Sequence, residues 1–186
     1  MSNRSFDPQA FSREIPAVDG PAPVHLWDPP FCGDIDMRIA RDGTWYYQGS
    51  PIRRDAMVRL FSSVLRRDGD DHFLVTPVEK LGITVEDCPF VAIAVEEDTG
   101  VEPSVLRFTL NNGEQVPLDE EHVLRVEEGG DDQPHPVLPV RAGLEALVSR
   151  PVFYELVERA EEQPGESGRS GLVLTSAGRT FLLGRL

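Results

Sequence analysis

The spacing of apolar residues in the first half of the chain predicts short strands around a single amphipathic helix. Apolar and polar residues alternate over residues 34–40, as in a half-buried strand, and a turn signal at 41–43 precedes the strand-forming run 44–47. Apolar residues then recur at helical spacing over residues 57–65, which predicts a helix with one buried stripe. A further strand is expected at residues 73–76.

The second half of the chain predicts more strands and two helices. Apolar runs indicate strands at residues 89–95, 104–110, 115–118 and 122–126. Helices are expected at 144–148 and 153–160, and a polar loop rich in glycine and serine at 163–170. The chain then ends in a predicted hairpin formed by residues 172–175 and 179–183.

The two halves also resemble each other weakly, with basic residues at matching places. If Thr76 is aligned with Thr175, Lys80 falls opposite Arg179. If Pro51 is aligned with Pro139, Arg53 falls opposite Arg141. A duplicated unit of this kind could build an anion pocket between its copies, although the alternative is a chance likeness between common strand–helix–strand patterns.

These patterns together predict an α+β fold of two tandem units from an internal duplication, each with an antiparallel sheet and a helix packed on it. We expect a proline-rich N-terminal arm over residues 1–30, with a short helix at 8–14, a first unit over 31–100 and a second unit over 101–186. The units would divide near residues 98–103.

Composition and charge narrow the class of function. The net charge of −14 disfavours nucleic acid as a partner, because a phosphate backbone would be repelled. The chain has neither a continuous apolar stretch of membrane-spanning length nor an apolar N-terminal signal, so a cytoplasmic protein that does not bind a membrane is expected. Its two cysteines, Cys32 and Cys88, form no disulfide framework.

Arg53 and Arg54 are the sharpest local anomaly. Both are predicted to lie in the first turn of a helix, where the helix dipole is positive and acidic residues are preferred. A phosphate or carboxylate could occupy that helix N-terminus and bind both guanidinium groups. The alternative is an internal ion pair with a nearby carboxylate, for which the candidates are Asp34, Asp36, Glu79 and Asp87.

Three further residues are candidates for binding a ligand. Thr76 and Lys80 follow a predicted strand, and Lys80 is the only lysine of the chain, so a hydroxyl and an ammonium group could bind a polar ligand together. The alternative is that Thr76 caps a turn and Lys80 is a surface charge. Trp45 could stack on a ring, although aromatic residues on a strand are usually part of the core.

Motifs for metals, cofactors and nucleophiles are absent. The four histidines are scattered, the cysteines lack zinc spacing, and no phosphate-binding glycine loop or hydrolase motif occurs. We therefore expect no metal, no cofactor and no catalytic residue.

Four sequence blocks resemble a known family. W-Y-Y-Q-G-S-P-I-R-R, M-V-R-L-F-S-S-V-L, F-L-V-T-P-V-E-K and V-E-D-C-P-F-V-A, all within residues 45–95, are similar in order and spacing to the bacterial family catalogued as domain of unknown function 1285. The resemblance implies a two-part α+β protein with a duplicated motif and a C-terminal part superficially like pleckstrin-homology folds. It also implies a nucleotide-like ligand at the domain interface and a role in signalling.

The main hypothesis is a non-catalytic protein that binds or senses a small anionic, nucleotide-like ligand through Arg53, Arg54, Lys80 and Arg141, with Thr76 and Trp45 alongside. Two rival classes stay open. One is an enzyme acting on such a ligand, with Glu79 or Asp36 as base. The other is a protein-interaction scaffold whose charges only keep it in solution.

Overall fold

The computed structural model describes residues 6–17, 19–130, 132–164 and 169–185. Its compact units are Met1–Asp87, here unit 1, and Cys88–Leu186, here unit 2. The division falls between residues 87 and 88, ahead of the expected region 98–103, and the arm expected at 1–30 belongs to unit 1. The region 98–103, where the division was predicted, is instead the turn between two paired strands of unit 2.

Unit 1 is a six-stranded sheet with two helices. Its elements are α1 (Pro8–Glu14), a 3-10 turn (Val24–Leu26), β1 (Phe31–Ile39), β2 (Trp45–Tyr47), β3 (Ser50–Pro51), α2 (Asp55–Ser63), β4 (Leu65–Asp68), β5 (Asp71–Val75) and β6 (Lys80–Val85). The strands lie in the order β3-β2-β1-β6-β5-β4. All neighbours are antiparallel except β1 and β6, which are parallel.

The core of unit 1 forms where α2 and the arm meet aromatic side chains of the sheet. Phe61, which is fully buried on the apolar stripe of α2, lies 6.1 Å from Trp45 and 6.0 Å from Phe11 of α1, measured between ring centroids. The helix α1 is the one predicted at residues 8–14, and it begins where Asp7 accepts a hydrogen bond from the Gln9 amide.

Unit 2 contains a second six-stranded sheet, one helix and a small third sheet. Its elements are β7 (Phe90–Asp98), β8 (Val105–Leu110), β9 (Gln115–Pro117), β10 (Arg125–Glu128), β11 (Pro134–Arg141), β12 (Leu144–Val148), α3 (Arg150–Arg159), β13 (Glu161–Pro164), β14 (Ser170–Ser176) and β15 (Arg179–Arg185). The larger sheet has the order β10-β11-β12-β7-β8-β9, and the smaller one β13-β14-β15.

The two larger sheets share one strand order. In each, the first strand lies beside the sixth and parallel to it, while the second and third strands extend one side and the fifth and fourth the other. The prediction of two tandem α+β units is therefore confirmed, but each sheet is mixed rather than purely antiparallel. The position of the helix along the chain differs between the units, because α2 follows the third strand of its sheet and α3 follows the sixth.

The helix predicted at residues 144–148 is wrong, because this segment is β12. Leu144, Ala146 and Val148 are buried in alternation, which is the two-residue period of a strand. Ala142 and Gly143 have φ values of +45° and +77°, as a two-residue hairpin loop requires, and they join β11 to β12. The alignment of Pro51 with Pro139 sets this strand opposite α2, so that alignment does not describe the duplication seen in the sheets.

The loop expected at residues 163–170 is described only in part, since 165–168 lie outside the described residues. The described portion includes the end of β13 and the start of β14. The terminal hairpin is confirmed as β14 and β15.

Ser176 joins the small sheet to the large sheet of unit 2. Its hydroxyl, which is buried, accepts a hydrogen bond from the Leu106 amide at 2.9 Å and donates one to the Leu118 carbonyl at 2.6 Å. One side chain thus satisfies a donor and an acceptor that are enclosed with it.

We predict that Ser176→Ala lowers the free energy of unfolding of unit 2 by about 2–3 kcal/mol, because the Leu106 amide and the Leu118 carbonyl lose their shared partner in a buried position. Urea titration followed by far-UV circular dichroism measures this free energy of unfolding. The control is Thr175→Ala on the same strand, whose side chain is exposed and whose loss should change stability by under about 0.5 kcal/mol. Equal effects of the two variants would contradict the prediction.

Candidate functional site

A pocket of about 360 Å³ opens at the unit 1 sheet. We call it the Lys80 pocket. It is lined by residues of β1, β5 and β6, namely Phe31, Asp34, Asp71, His72, Phe73, Lys80, Gly82 and Ile83. Two phenyl rings, one imidazole ring, one ammonium group and two carboxylates therefore surround one opening.

The parallel pairing of β1 with β6 brings the two sides of the pocket together. Phe31 lies opposite Lys80, and Asp34 opposite Gly82. Three residues of β1 thus match two of β6, and the extra residue forms a bulge at Gly33, whose φ of +104° favours glycine. Because of the bulge, Phe31 and Asp34 both line the pocket, although an odd spacing would put them on opposite faces of a regular strand.

The side chain of Lys80 extends from β6 across β5 to Asp68 on β4. Its ammonium lies 4.1 Å from the centroid of the Phe73 ring and 2.6 Å from Oδ2 of Asp68, and the side chain is only 19 % exposed. The ammonium has three N–H donors, so one salt bridge leaves donors for a ligand. The ring beneath it holds the side chain in place by a cation–π contact.

Arg66 is the second cation on Asp68. Its Nε and Nη2 donate to Oδ2 of that carboxylate at 3.2 Å and 2.9 Å. Hydrogen bonds from Arg66, and then from Lys80, hold the pKa of Asp68 below its ordinary value despite partial desolvation. Arg66 also donates to the carbonyls of Val24 and Trp27, which ties the N-terminal arm to the same charge cluster.

Asp34 lies directly over Gly82. A β-carbon added to Gly82 would lie 1.9 Å from Oδ1 of Asp34, so only glycine lets the carboxylate rest on β6 in this position. Among the described residues, Asp34 makes no hydrogen bond or ion pair, in contrast to Asp68. The two carboxylates therefore differ, because Asp68 lies beside the pocket and is held by cations, whereas Asp34 lines the pocket and is open to donors.

Two of the residues predicted to bind a ligand have structural roles. Thr76 is buried, and its hydroxyl accepts from the amides of Val78 and Glu79, which makes it the cap of the β5–β6 turn. Trp45 is 2 % exposed and packs against Phe61, so it belongs to the core. Both agree with the alternatives weighed from the sequence, since neither side chain is open to solvent.

Arg53 and Arg54 were placed wrongly relative to the helix. The helix α2 begins at Asp55, with Arg54 as its N-cap residue, and both arginines are exposed. They pair with no carboxylate of the described residues, so the internal ion pair considered from the sequence is absent from this part of the chain. Asp87 pairs with Arg41 instead, at 3.2 Å.

Arg141 belongs to unit 2 and takes part in its internal packing. Its guanidinium lies 3.1 Å from a carboxylate oxygen of Glu114 and 5.1 Å from the centroid of the Phe90 ring. Burial lowers the pKa of Arg141, and the charge of Glu114 opposes that shift. The side chain fastens β11 to the β8–β9 turn, where Glu114 is the last residue before β9.

Among the predicted site residues, the Lys80 pocket therefore contains Lys80 itself. Phe31, Phe73 and Asp34 were not predicted as site residues, and the strand β6 was not predicted at all. The available signal was the alternation in K-L-G-I-T-V, which would have placed Lys80, Gly82 and Thr84 on one face of a strand.

The described residues contain no group of three or more histidine, cysteine, aspartate and glutamate side chains arranged to hold a metal ion. None of the described helices is long and apolar enough to cross a membrane.

The fold defines a protein of two tandem α+β domains, each built on a six-stranded mixed sheet with the same strand order. A model described as "Domain of unknown function (DUF1285), N-terminal domain" matches residues 22–88, and one described as "Protein of unknown function (DUF1285), C-terminal domain" matches residues 89–183. The chain belongs to the DUF1285 family, which confirms the resemblance seen in the sequence. The two models meet where the compact units divide.

Solved structures support this assignment. A DUF1285 family protein from Silicibacter pomeroyi DSS-3 is 49 % identical, with a TM-score of 0.87 over 98 % of this chain and 97 % of that one. A DUF1285 family protein from Shewanella baltica OS155 is 26 % identical, with a TM-score of 0.55 over 67 % of this chain and 91 % of that one. No curated protein matches the chain.

We predict that Asp68→Asn lowers the free energy of unfolding by about 0.5–1 kcal/mol at pH 7, a modest loss because Asp68 is 41 % exposed and its ion pairs are screened by solvent. The folded pKa of Asp68 lies below the unfolded value of about 3.9, so its stabilisation is present above pH 4 and is lost as the pH falls through the folded pKa. Chemical denaturation at several pH values should show the gap between variant and wild type closing below about pH 4.

Asp70→Asn is the matched control. Asp70 lies in the same β4–β5 turn, but its side chain is fully exposed and only 3.6 Å from Arg67. We expect a change under about 0.5 kcal/mol at every pH. A gap for Asp68→Asn that stays constant down to pH 2 would show that its loss is not electrostatic.

Proposed function

We propose that this protein is a non-catalytic sensor that binds a small anionic, nucleotide-like ligand in the Lys80 pocket. The observation that carries the proposal is the half-enclosed ammonium of Lys80, fixed over the Phe73 ring at the wall of a pocket of about 360 Å³. The proposal locates the ligand within unit 1, whereas the sequence hypothesis put it at the junction of the two units.

Charge supports an anionic group at one end of the ligand. The chain carries a net charge of −14, so a cation that is positioned and partly desolvated is a specific place for a phosphate rather than part of a general positive surface. Lys80 and Arg66 bring two positive charges to one carboxylate, Asp68, so this three-residue cluster carries a net positive charge where Lys80 enters the pocket wall.

Aromatic surface supports a ring at the other end. Phe31 is 57 % exposed, so much of its ring is open to a ligand, and it meets the Phe73 ring edge-on at 6.0 Å. A base stacked on such a ring gains about 1–3 kcal/mol. A mononucleotide combines a ring and an anion in this way.

The Arg66 contacts provide a route from occupancy to conformation. A phosphate bound to Lys80 would compete with Asp68 for the ammonium, and Asp68 would then interact more strongly with Arg66. Arg66 also holds the arm through Val24 and Trp27, so ligand binding would change how tightly the arm is held. This coupling is the part of the proposal that makes the protein a sensor.

The pocket favours binding over catalysis. Neither Asp36 nor Glu79, the bases considered for an enzyme, lines it. The proposed contacts of the ligand with Lys80 and Phe31 require no reacting pair.

The proposal is tested by thermal shift with adenosine monophosphate, guanosine monophosphate, a cyclic dinucleotide and inorganic phosphate. A nucleotide present at 100 times its dissociation constant should stabilise the protein by about 2.7 kcal/mol. Lys80→Met keeps the apolar stem on Phe73 and removes the charge, so the dissociation constant should rise about 10- to 100-fold. The matched control is Arg59→Met, an exposed cation of α2 outside the pocket.

Two results would contradict the proposal. One is the absence of any shift with all four probes at millimolar concentration. The other is a shift that survives Lys80→Met but is lost in Arg53→Ala, since that result would favour the arginine site expected from the sequence.

Lys80 also allows a chemical test, because it is the only lysine of the chain. We predict that a bound nucleotide slows acetylation of Lys80 by an N-hydroxysuccinimide ester, while labelling of the N-terminal amine is unchanged. Peptide mass spectrometry separates the two sites, and equal protection of both amines would show that the nucleotide does not act at Lys80.

A further inference from the structure

We infer that Asp34 determines base specificity in the Lys80 pocket, by selecting a ring that presents two adjacent N–H donors, as guanine does. The inference rests on the proposed function, since it concerns the ligand of the same pocket. It is carried by a different observation, the carboxylate of Asp34 held over Gly82.

Glycine at position 82 gives the carboxylate its place. Oδ1 of Asp34 lies 1.9 Å from where a β-carbon of residue 82 would be, so a side chain at that position would move the exposed Asp34 carboxylate out of this place. Gly82 is buried in the middle of the sheet, between β1 and β5, where a glycine otherwise weakens a strand. The absence of a side chain here leaves the space over β6 that the Asp34 carboxylate occupies.

The carboxylate has acceptor capacity that the protein does not use. An ionised carboxylate only accepts hydrogen bonds, and the described residues donate none to Asp34. Asp68, by contrast, is occupied by Arg66 and Lys80. The two carboxylates are therefore suited to different tasks, one to fix the ammonium and the other to accept donors from a ligand.

Guanine matches this acceptor better than adenine does. Its N1–H and exocyclic amino group lie side by side and can donate to both oxygens of a carboxylate at once, in the paired geometry that strengthens such bonds. Adenine presents an acceptor at N1, which a carboxylate repels. Hypoxanthine has the N1–H but lacks the amino group, so it ranks between them.

The spacing across the sheet also fits a mononucleotide. Asp34 lies on β1 over β6, and the ammonium of Lys80 reaches Asp68 on β4. With strands about 4.8 Å apart, the two groups are separated by on the order of 10 Å. Phe31 lies beside Asp34 on β1, where a base paired with the carboxylate can stack on its ring.

Calorimetric titration of guanosine, inosine and adenosine monophosphates, at one salt concentration, tests the inference. We expect affinities in the order guanosine, inosine, adenosine, with guanosine favoured over adenosine about 5- to 150-fold. Asp34→Asn keeps the shape of the side chain but replaces one acceptor with a donor, so it should remove most of this preference. Asp36→Asn, an exposed carboxamide substitution on the same strand and outside the pocket, should leave it intact.

Gly82→Ala gives a second, independent variant. Its new methyl group would displace the Asp34 carboxylate, so the guanosine preference should fall while adenosine monophosphate, bound through Lys80, keeps its affinity within about threefold. Gly130→Ala, with nothing within 4 Å of the added carbon, controls for the loss of a glycine. Melting temperatures without ligand show whether each variant is folded.

The outcomes separate the two proposals. If no nucleotide binds the wild-type protein, the proposed function is wrong and this inference falls with it. If nucleotides bind through Lys80 but with equal affinity for all three bases, or if the guanosine preference survives Asp34→Asn, the inference alone is wrong.

Discussion

The parallel pairing of β1 with β6 is the constraint on which the rest of unit 1 depends. Without it, the sheet would consist of two separate antiparallel groups, β3-β2-β1 and β6-β5-β4. The pairing joins residues about fifty positions apart, and it places Phe31 beside Lys80 and Asp34 beside Gly82. The candidate site is therefore a product of sheet closure and not of any local motif.

Two glycines adapt this closure to the pocket. Gly33 absorbs the extra residue of β1, so that Phe31 and Asp34 share one opening, and Gly82 gives space to the Asp34 carboxylate. Ion pairs complete the arrangement, because Asp68 on the edge strand β4 holds the side chains of Lys80 and Arg66. Substitutions at the glycines act on where side chains lie, whereas substitutions at Asp68 act on how firmly the ammonium is held.

Sequence patterns predicted the elements whose signals are local. The helix α1, the strands β2 and β8 and the terminal hairpin were all expected near their observed positions, since caps, aromatic runs and glycine turns mark them. The prediction of a helix at β12 is wrong because Leu144, Leu147 and Val148 also fit helical spacing, whereas the turn at Ala142-Gly143 makes this segment the second strand of a hairpin. β11 was missed because it contains three prolines. Pro134 and Pro136 are tolerated where only β10 pairs with it, and Pro139 lies beside a register shift.

The candidate site was predictable only at Lys80. Charge and position drew attention to it, but its partners lie on strands that pair across a long separation in sequence, and no periodicity reveals which strands will be neighbours. Arg53 and Arg54 were predicted as site residues because the predicted helix began at residue 53, two residues before the observed start at Asp55. If the start of α2 were predicted from capping geometry and not from apolar spacing, Arg53 and Arg54 would both lie outside the helix.

The repeated strand order has a consequence for how the chain is made. In each six-stranded sheet the first strand pairs with the strand of that sheet that is synthesised last, so β1 must keep an open edge until residue 85 has emerged, and β7 until residue 148. During synthesis β6 is complete before any strand of unit 2 exists. β1 can therefore pair with β6 before a strand of unit 2 could compete for the same edge. The order of translation thus protects each sheet from pairing with the equivalent strand of the other, a protection that refolding of the full-length chain from denaturant does not have.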